Sequence, residues 1–248
     1  MNMPTIIKKE TTINGVYAYH SYPDDDQKHP GLVLIEEIWG VNDHIKSVVD
    51  RFAAAGFSVI SPELLPKGLL ELATPQLQKD LFDPAKRDEV QPKMRAAMAP
   101  MMQPEFAQGA IATLKACVDY LVADEHVNGK IAVLGFCFGG TYSFHLAAND
   151  PRIKAAVPFY GHPPTLEEVP NMHYPVLALY GDQDATLMES LPALKENMKK
   201  SDKAFEAIVY SGAGHAFFND TNSRQYRPDA AHDAWERALE FLKKNLTD

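Results

Sequence analysis

The chain of 248 residues is 46% hydrophobic and 23% charged, with a formal net charge of −9 at pH 7. Aromatic and branched apolar residues recur along its whole length, which excludes general disorder and supplies material for a full core. The acidic balance argues against nucleic acid and membrane as partners, because neither a polyanion nor an anionic bilayer attracts a net-negative surface. Two cysteines, Cys117 and Cys137, are too few for a disulfide framework and have no C-x-x-C spacing. The opening Met1–Glu10 has no continuous apolar stretch of the secretory-signal kind. No apolar run approaches the roughly 18–20 residues that span a bilayer, so a cytoplasmic setting is expected. Nine histidines without H-E-x-x-H or clustered Cys/His spacing give no support for a metal site.

In chain order, Thr12, Val16, Tyr17 and Tyr19 around Asn14-Gly15 predict a leading antiparallel hairpin between Thr11 and Tyr22. Gly31–Glu37 reads as a buried strand. Asp43 is the expected cap of a helix carrying Ile45, Val48, Val49 and Phe52, which Gly56 stops. Phe57–Pro62 is the next strand. The stretch from Pro62 to Pro104 breaks the rhythm with seven prolines and a methionine cluster around Met94, Met98, Met101 and Met102. Its apolar residues, Leu64, Leu65, Leu69, Leu70, Leu72, Leu81 and Phe82, favour an insertion packed over the strand ends rather than a linker. A methionine group is more often core filling than a pocket lip. Order resumes with a helix from Phe106 to Val122 and a strand from Lys130 to Phe136. Further strands are expected at Ile153–Phe159, Pro175–Tyr180 and Phe205–Tyr210, and a last helix at Asp229–Leu246. Strands alternating with helices imply a parallel α/β sheet with right-handed crossovers, and residues 1–248 read as one domain.

Gly135-Phe-Cys137-Phe-Gly-Gly140 follows a strand directly and opens an apolar helix from Thr141 to Ala148. This is a nucleophile elbow with cysteine at its apex, and the helix N-terminus behind it favours a thiolate and a developing oxyanion. A tight turn around a buried cysteine is the bland alternative. Cys117, mid-helix among Leu114, Val118 and Leu121, reads as inert core. Where such an elbow is used, the acid and then the histidine follow in chain order. Gly181-Asp182-Gln-Asp184 and the glycine-rich loop ending in His215 both sit just past strand ends, where open α/β sheets place their sites. Asp184 is preferred as the acid, since Asp182 directly after Gly181 is better placed to tie the turn. Glu36 and Glu37 could be a solvated strand end. The loop after that strand also supplies the second oxyanion donor, so the Ile38 N–H should join that of Phe138.

Glu37-Ile-Trp-Gly-Val-Asn42, the Cys137 elbow, Gly181-Asp-Gln-Asp184 and Gly-His215-Ala-Phe217 together resemble the dienelactone hydrolase family over nearly the whole chain. The resemblance implies an α/β-hydrolase fold, a mostly parallel central sheet with helices on both faces and a short insertion over the site. It implies a small ester or lactone as substrate, and a triad of Cys137, His215 and Asp184. It also implies that Glu37 contacts the resting thiol and governs its protonation. No cofactor is required, because nucleophile and base are both side chains. Trp39, Phe138, Phe217 and the insertion are expected to wall the pocket. The dienelactone-cleaving members carry an arginine four residues after the histidine to hold a substrate carboxylate. Here that position is Asn219, expected on the pocket wall as a hydrogen-bond donor without charge, and a cation would have to come from Arg87, Arg95, Arg224 or Arg227. Two rival readings are a redox-responsive protein in which Cys137 is oxidised, and a non-catalytic binding protein on a hydrolase fold. The lack of a resolving cysteine weighs against the first, and retention of every triad residue type against the second.

Overall fold

The computed structural model describes residues 5–81, 83 and 85–246. Phe82, counted above among the apolar residues of the insertion, and Met1–Pro4 of the opening segment lie outside them. Eight strands form one sheet: β1 (Ile6–Ile13), β2 (Val16–Pro23), β3 (His29–Ile35), β4 (Ser58–Pro62), β5 (Val127–Phe136), β6 (Ile153–Phe159), β7 (Val176–Gly181) and β8 (Phe205–Tyr210). Their order is β1-β2-β4-β3-β5-β6-β7-β8. The pairs β1–β2 and β2–β4 are antiparallel and the rest are parallel. Asn14 and Gly15 turn the leading hairpin with φ of 51° and 79°, the left-handed pair that matches strand twist.

Among the described residues, eight α-helices connect and cover the sheet: α1 (Asp43–Ala54), α2 (Lys67–Leu72), α3 (Pro75–Leu81), α4 (Arg87–Met98), α5 (Pro104–Ala123), α6 (Phe138–Asn149), α7 (Ala185–Lys200) and α8 (Pro228–Leu246). The helix after β3 is capped by Asn42, whose side chain accepts from the Ile45 N–H at 3.1 Å, and not by Asp43, which is its first residue. Asn and Asp cap equally well, so only the backbone path decides between neighbours. Helix α7 is an addition to the expected elements. Its buried Leu187, Leu191, Leu194 and Met198 recur at helical spacing, a signal the sequence does carry.

The proline-rich segment after β4 folds into α2, α3 and α4. Leu65, Leu69 and Met94 are buried in the main core, whereas Met102 is 83% exposed. The methionine cluster is therefore split between filling and surface. A contiguous core runs from Ile13 to Leu246 through the inner faces of the strands. Helices α1 and α8 meet through Phe52 and Trp235, with ring centroids 4.4 Å apart, and α5 meets α6 through Phe106, Phe138 and Tyr142. Because β3, β5, β7 and β8 run parallel, the loops leaving their C-terminal ends converge on one edge of the sheet.

Candidate active site

At the centre of that edge β5 turns sharply into α6. Cys137, at the turn, has φ 55° and ψ −110°, a left-handed conformation that a side-chain-bearing residue adopts only at a cost of about 1–3 kcal/mol. Its N–H bonds to the Phe159 carbonyl at 3.0 Å, and the Gly139 N–H bonds to the Glu36 carbonyl at 3.1 Å. These bonds bring the elbow against β6 and the end of β3. The glycines are required by this closeness: a Cβ at Gly135 would overlap the Gly139 carbonyl, and one at Gly139 would overlap the Ile35 carbonyl. Phe138 is the first residue of α6, so its N–H has no intrahelical acceptor and is available at the mouth of the turn.

His215 reaches the elbow from the loop after β8. Its Nδ1 lies 2.6 Å from Asp184 Oδ2. Asp184 also caps α7, accepting from the Leu187 N–H, so the helix fixes the carboxylate that fixes the ring. Asp182 is spent otherwise: its Oδ1 accepts from the Gly212 N–H and from Gln183 Nε2, both at 2.8 Å, tying the two loops together. Burial is the largest single influence on His215 and opposes its charge. The hydrogen bond to Asp184, the influence of the Cys137 sulfur and the charges of both outweigh it and raise the imidazole to about 10. With 41% of the side chain exposed, water screens part of each effect. Asp184 stays below its ordinary value: burial pushes it up, but the His215 contact and the charges of His215 and His162 prevail.

The two acids after β3 are buried, not solvated. Glu36 is fully enclosed, its Oε1 accepting from the Leu64 and Leu65 N–H groups at 2.7 and 3.2 Å. Burial raises it well above its ordinary value against those two bonds, and through them it ties the insertion to the strand end beside the elbow. Glu37 is 2% exposed, with Oε1 accepting from the Tyr160 hydroxyl at 3.1 Å and Oε2 from Asn219 Nδ2 at 2.6 Å. Ile38 and Trp39 lie half-buried in the same loop.

Two residues expected on the pocket wall are elsewhere. Phe217 is fully buried among Phe159, Tyr160 and Tyr210, where it supports the histidine loop from beneath. Asn219 is 1% exposed and directed at Glu37, so it is not an open donor to substrate. Chain position alone could not distinguish wall from floor. Tyr160 is a site residue without a sequence motif. Its only signal is an aromatic residue at the end of β6, here with φ 37°.

The alternative arginines are dispersed. Arg87 and Arg95 are exposed on α4. Arg227 donates to the carbonyls of Gly212, Arg224 and Tyr226. Arg224 lines a cavity of about 330 Å³ with His44, Lys79 and Thr221. Among the described residues no group of three or more His, Cys, Asp or Glu could hold a metal ion, and no helix is long and apolar enough to cross a membrane.

A mostly parallel sheet carrying a strand–elbow–helix and an acid–histidine pair on its C-terminal edge defines an α/β hydrolase. The dienelactone hydrolase family profile matches residues 16–246, and the chain belongs to that family. A protein of Saccharolobus solfataricus, provisionally named carboxymethylenebutenolidase, is 31% identical over 86% of this chain and 88% of its own. A Bradyrhizobium protein named, with the same reservation, 2-oxo-3-(5-oxofuran-2-ylidene)propanoate lactonase is 29% identical over 92% of this chain and 89% of its own. Among solved structures, one from Klebsiella pneumoniae provisionally named dienelactone hydrolase superposes with a TM-score of 0.81 at 26% identity, covering 97% of this chain and 99% of that one. A dienelactone hydrolase-like promiscuous phosphotriesterase from metagenomic libraries shares the fold at 20% identity, with a TM-score of 0.76 over 99% of this chain and 100% of its own.

Proposed function

We propose that this protein hydrolyses a small ester or lactone through an acyl-enzyme on Cys137. The observation that carries the reading is a cysteine-bearing elbow, strained at φ 55°, on the same sheet edge as an imidazole that Asp184 holds at 2.6 Å and that the Cys137 sulfur helps to raise. His215 takes the thiol proton, and the thiolate adds to the substrate carbonyl carbon. The N–H groups of Ile38 and Phe138 receive the oxyanion. The imidazolium returns its proton to the leaving oxygen as the carbon–oxygen bond breaks, which leaves a thioester and an alcohol. Water, losing a proton to His215, adds to the thioester, and collapse releases the acid and the resting thiol. Glu37, bonded to the Tyr160 hydroxyl and to Asn219 at the strand end to which the elbow is bonded, has the role of restraining the thiol in the absence of substrate. The names of the relatives support a lactone as the substrate class.

Mixing the enzyme with a slowly hydrolysed ester and quenching should leave one acyl group, which peptide mass spectrometry places on Cys137. An adduct on Cys117 or on a serine would refute the mechanism.

Substrate charge follows from the placement of the cations. A carboxylate buried beside Cys137 needs a positive partner, whereas Arg87 and Arg95 are exposed on α4 and Arg227 donates to backbone carbonyls. A charged hydrogen bond is worth roughly 1.5–3 kcal/mol, so a lactone methyl ester should exceed the matching free carboxylate by about ten- to hundredfold in kcat/KM. A preference for the carboxylate would show that a cation reaches the site.

A further inference from the structure

The surroundings of Glu37 point to more than a carboxylate near a thiol. Both of its oxygens are held, and both donors, Tyr160 and Asn219, are uncharged. Asn219 is held in turn: its Oδ1 accepts from the Thr221 N–H at 3.0 Å and from the Thr221 hydroxyl at 2.7 Å. Those two bonds define the amide orientation, because a flip would lose both and set the Asn219 carbonyl against the Glu37 carboxylate. Tyr160 is fully buried, and its ring centroid lies 5.1 Å from that of His215. Burial first, then the neighbouring charges of Glu37 and Cys137, hold its phenol well above the ordinary value, so it stays a neutral donor.

A buried carboxylate needs donors to remain ionised. A cation in that position would cancel its field, whereas hydrogen bonds from an amide and a phenol stabilise the charge and leave it acting on its surroundings. We infer that Asn219 and Tyr160 are positioning residues that fix the Glu37 carboxylate at the strand end to which the elbow is bonded, with Thr221 fixing the Asn219 amide, so that the resting thiol is restrained by a neutral clamp. This rests on the reading of Cys137 as the nucleophile and of Glu37 as its restraint. Its consequence for specificity is that the clamp offers no cation for a substrate anion to compete for, so release of the thiol does not depend on substrate charge. The same clamp therefore suits neutral esters and lactones.

The test compares two rates at pH 7: alkylation of Cys137 by iodoacetamide, read by peptide mass spectrometry, and hydrolysis of p-nitrophenyl acetate. Asn219→Leu removes a donor to a charged group, so alkylation should rise about three- to tenfold while kcat falls. A purely structural role would lower hydrolysis without speeding alkylation. In a Glu37→Gln background the same substitution should leave alkylation unchanged. Thr221→Val, an exposed position, should move both rates in the same directions by a smaller factor, and it carries the test if a thermal melt shows Asn219→Leu unfolded. Wild-type alkylation in both single variants, or an acceleration that persists without the Glu37 carboxylate, overturns the clamp. Because alkylation needs no turnover, that result is separable from failure to find an acyl group on Cys137, which would overturn the proposed mechanism itself.

Discussion

Cys137→Ala should lower ester hydrolysis by about 10⁴-fold or more, leaving only what oxyanion donors and substrate binding supply without a nucleophile. Alanine keeps the Cβ and therefore the same backbone cost at φ 55°, so the comparison isolates the sulfur from the turn. Cys117→Ala is the matched control. Cys117 is fully buried in α5, and burial pushes its thiol up to about 12, so it holds its proton at neutral pH and has no route to substrate. Turnover and circular dichroism of the two variants give the answer together. Activity of Cys137→Ala within tenfold of wild type, in folded protein, would transfer the nucleophile to another residue. Loss of activity in Cys117→Ala would instead indicate a packing defect transmitted from α5.

What the sequence discloses follows from how local each constraint is. The hairpin is legible because Asn14-Gly15 is one of the few pairs that accept two left-handed residues in succession, and β1 and β2 extend on either side of it. The elbow is legible for a related reason: its glycines answer a steric demand made within a few residues and by the adjoining strand. Asp184 and His215 can be narrowed down because parallel strands deliver their following loops to one edge. The residues around Glu37 are different. Phe217 and Asn219 both follow the histidine closely, yet one packs beneath the loop and the other turns to a carboxylate 182 positions earlier in the chain. Glu36 and Glu37 have the composition of a solvated strand end, yet the insertion meets Glu36 through Leu64 and Leu65, and Tyr160 and Asn219 meet Glu37, so both are buried. Long-range packing decides such cases. A single sequence records the residue types but not which of them meet.

Asp184→Asn should show both a large rate loss and a displaced pH profile. Asparagine can still cap α7 through its side-chain oxygen, so the helix and the loop position are retained. It cannot stabilise the imidazolium, and its amide can leave His215 in the wrong tautomer, a loss that approaches about 10⁴-fold in triad enzymes. Asp182→Asn removes a charge from a carboxylate that only ties loops, and should cost no more than about a few-fold. The sign of the pH effect follows from the cause of the shift. The hydrogen bond and charge of Asp184 help to raise His215, so the imidazolium formed once it has taken the thiol proton keeps that proton for the leaving oxygen and loses it more readily as pH rises. With Asp184 removed, one raising influence disappears while the lowering effect of burial remains. The alkaline limb of kcat/KM for an alkyl ester should therefore move to lower pH in Asp184→Asn and stay in place in Asp182→Asn. An alkyl ester is needed because its leaving oxygen must be protonated, whereas p-nitrophenolate departs unaided. If the two variants lose activity equally, or if the limb stays fixed in both, Asp184 does not govern the proton on His215, and its 2.6 Å contact serves only to hold the loop.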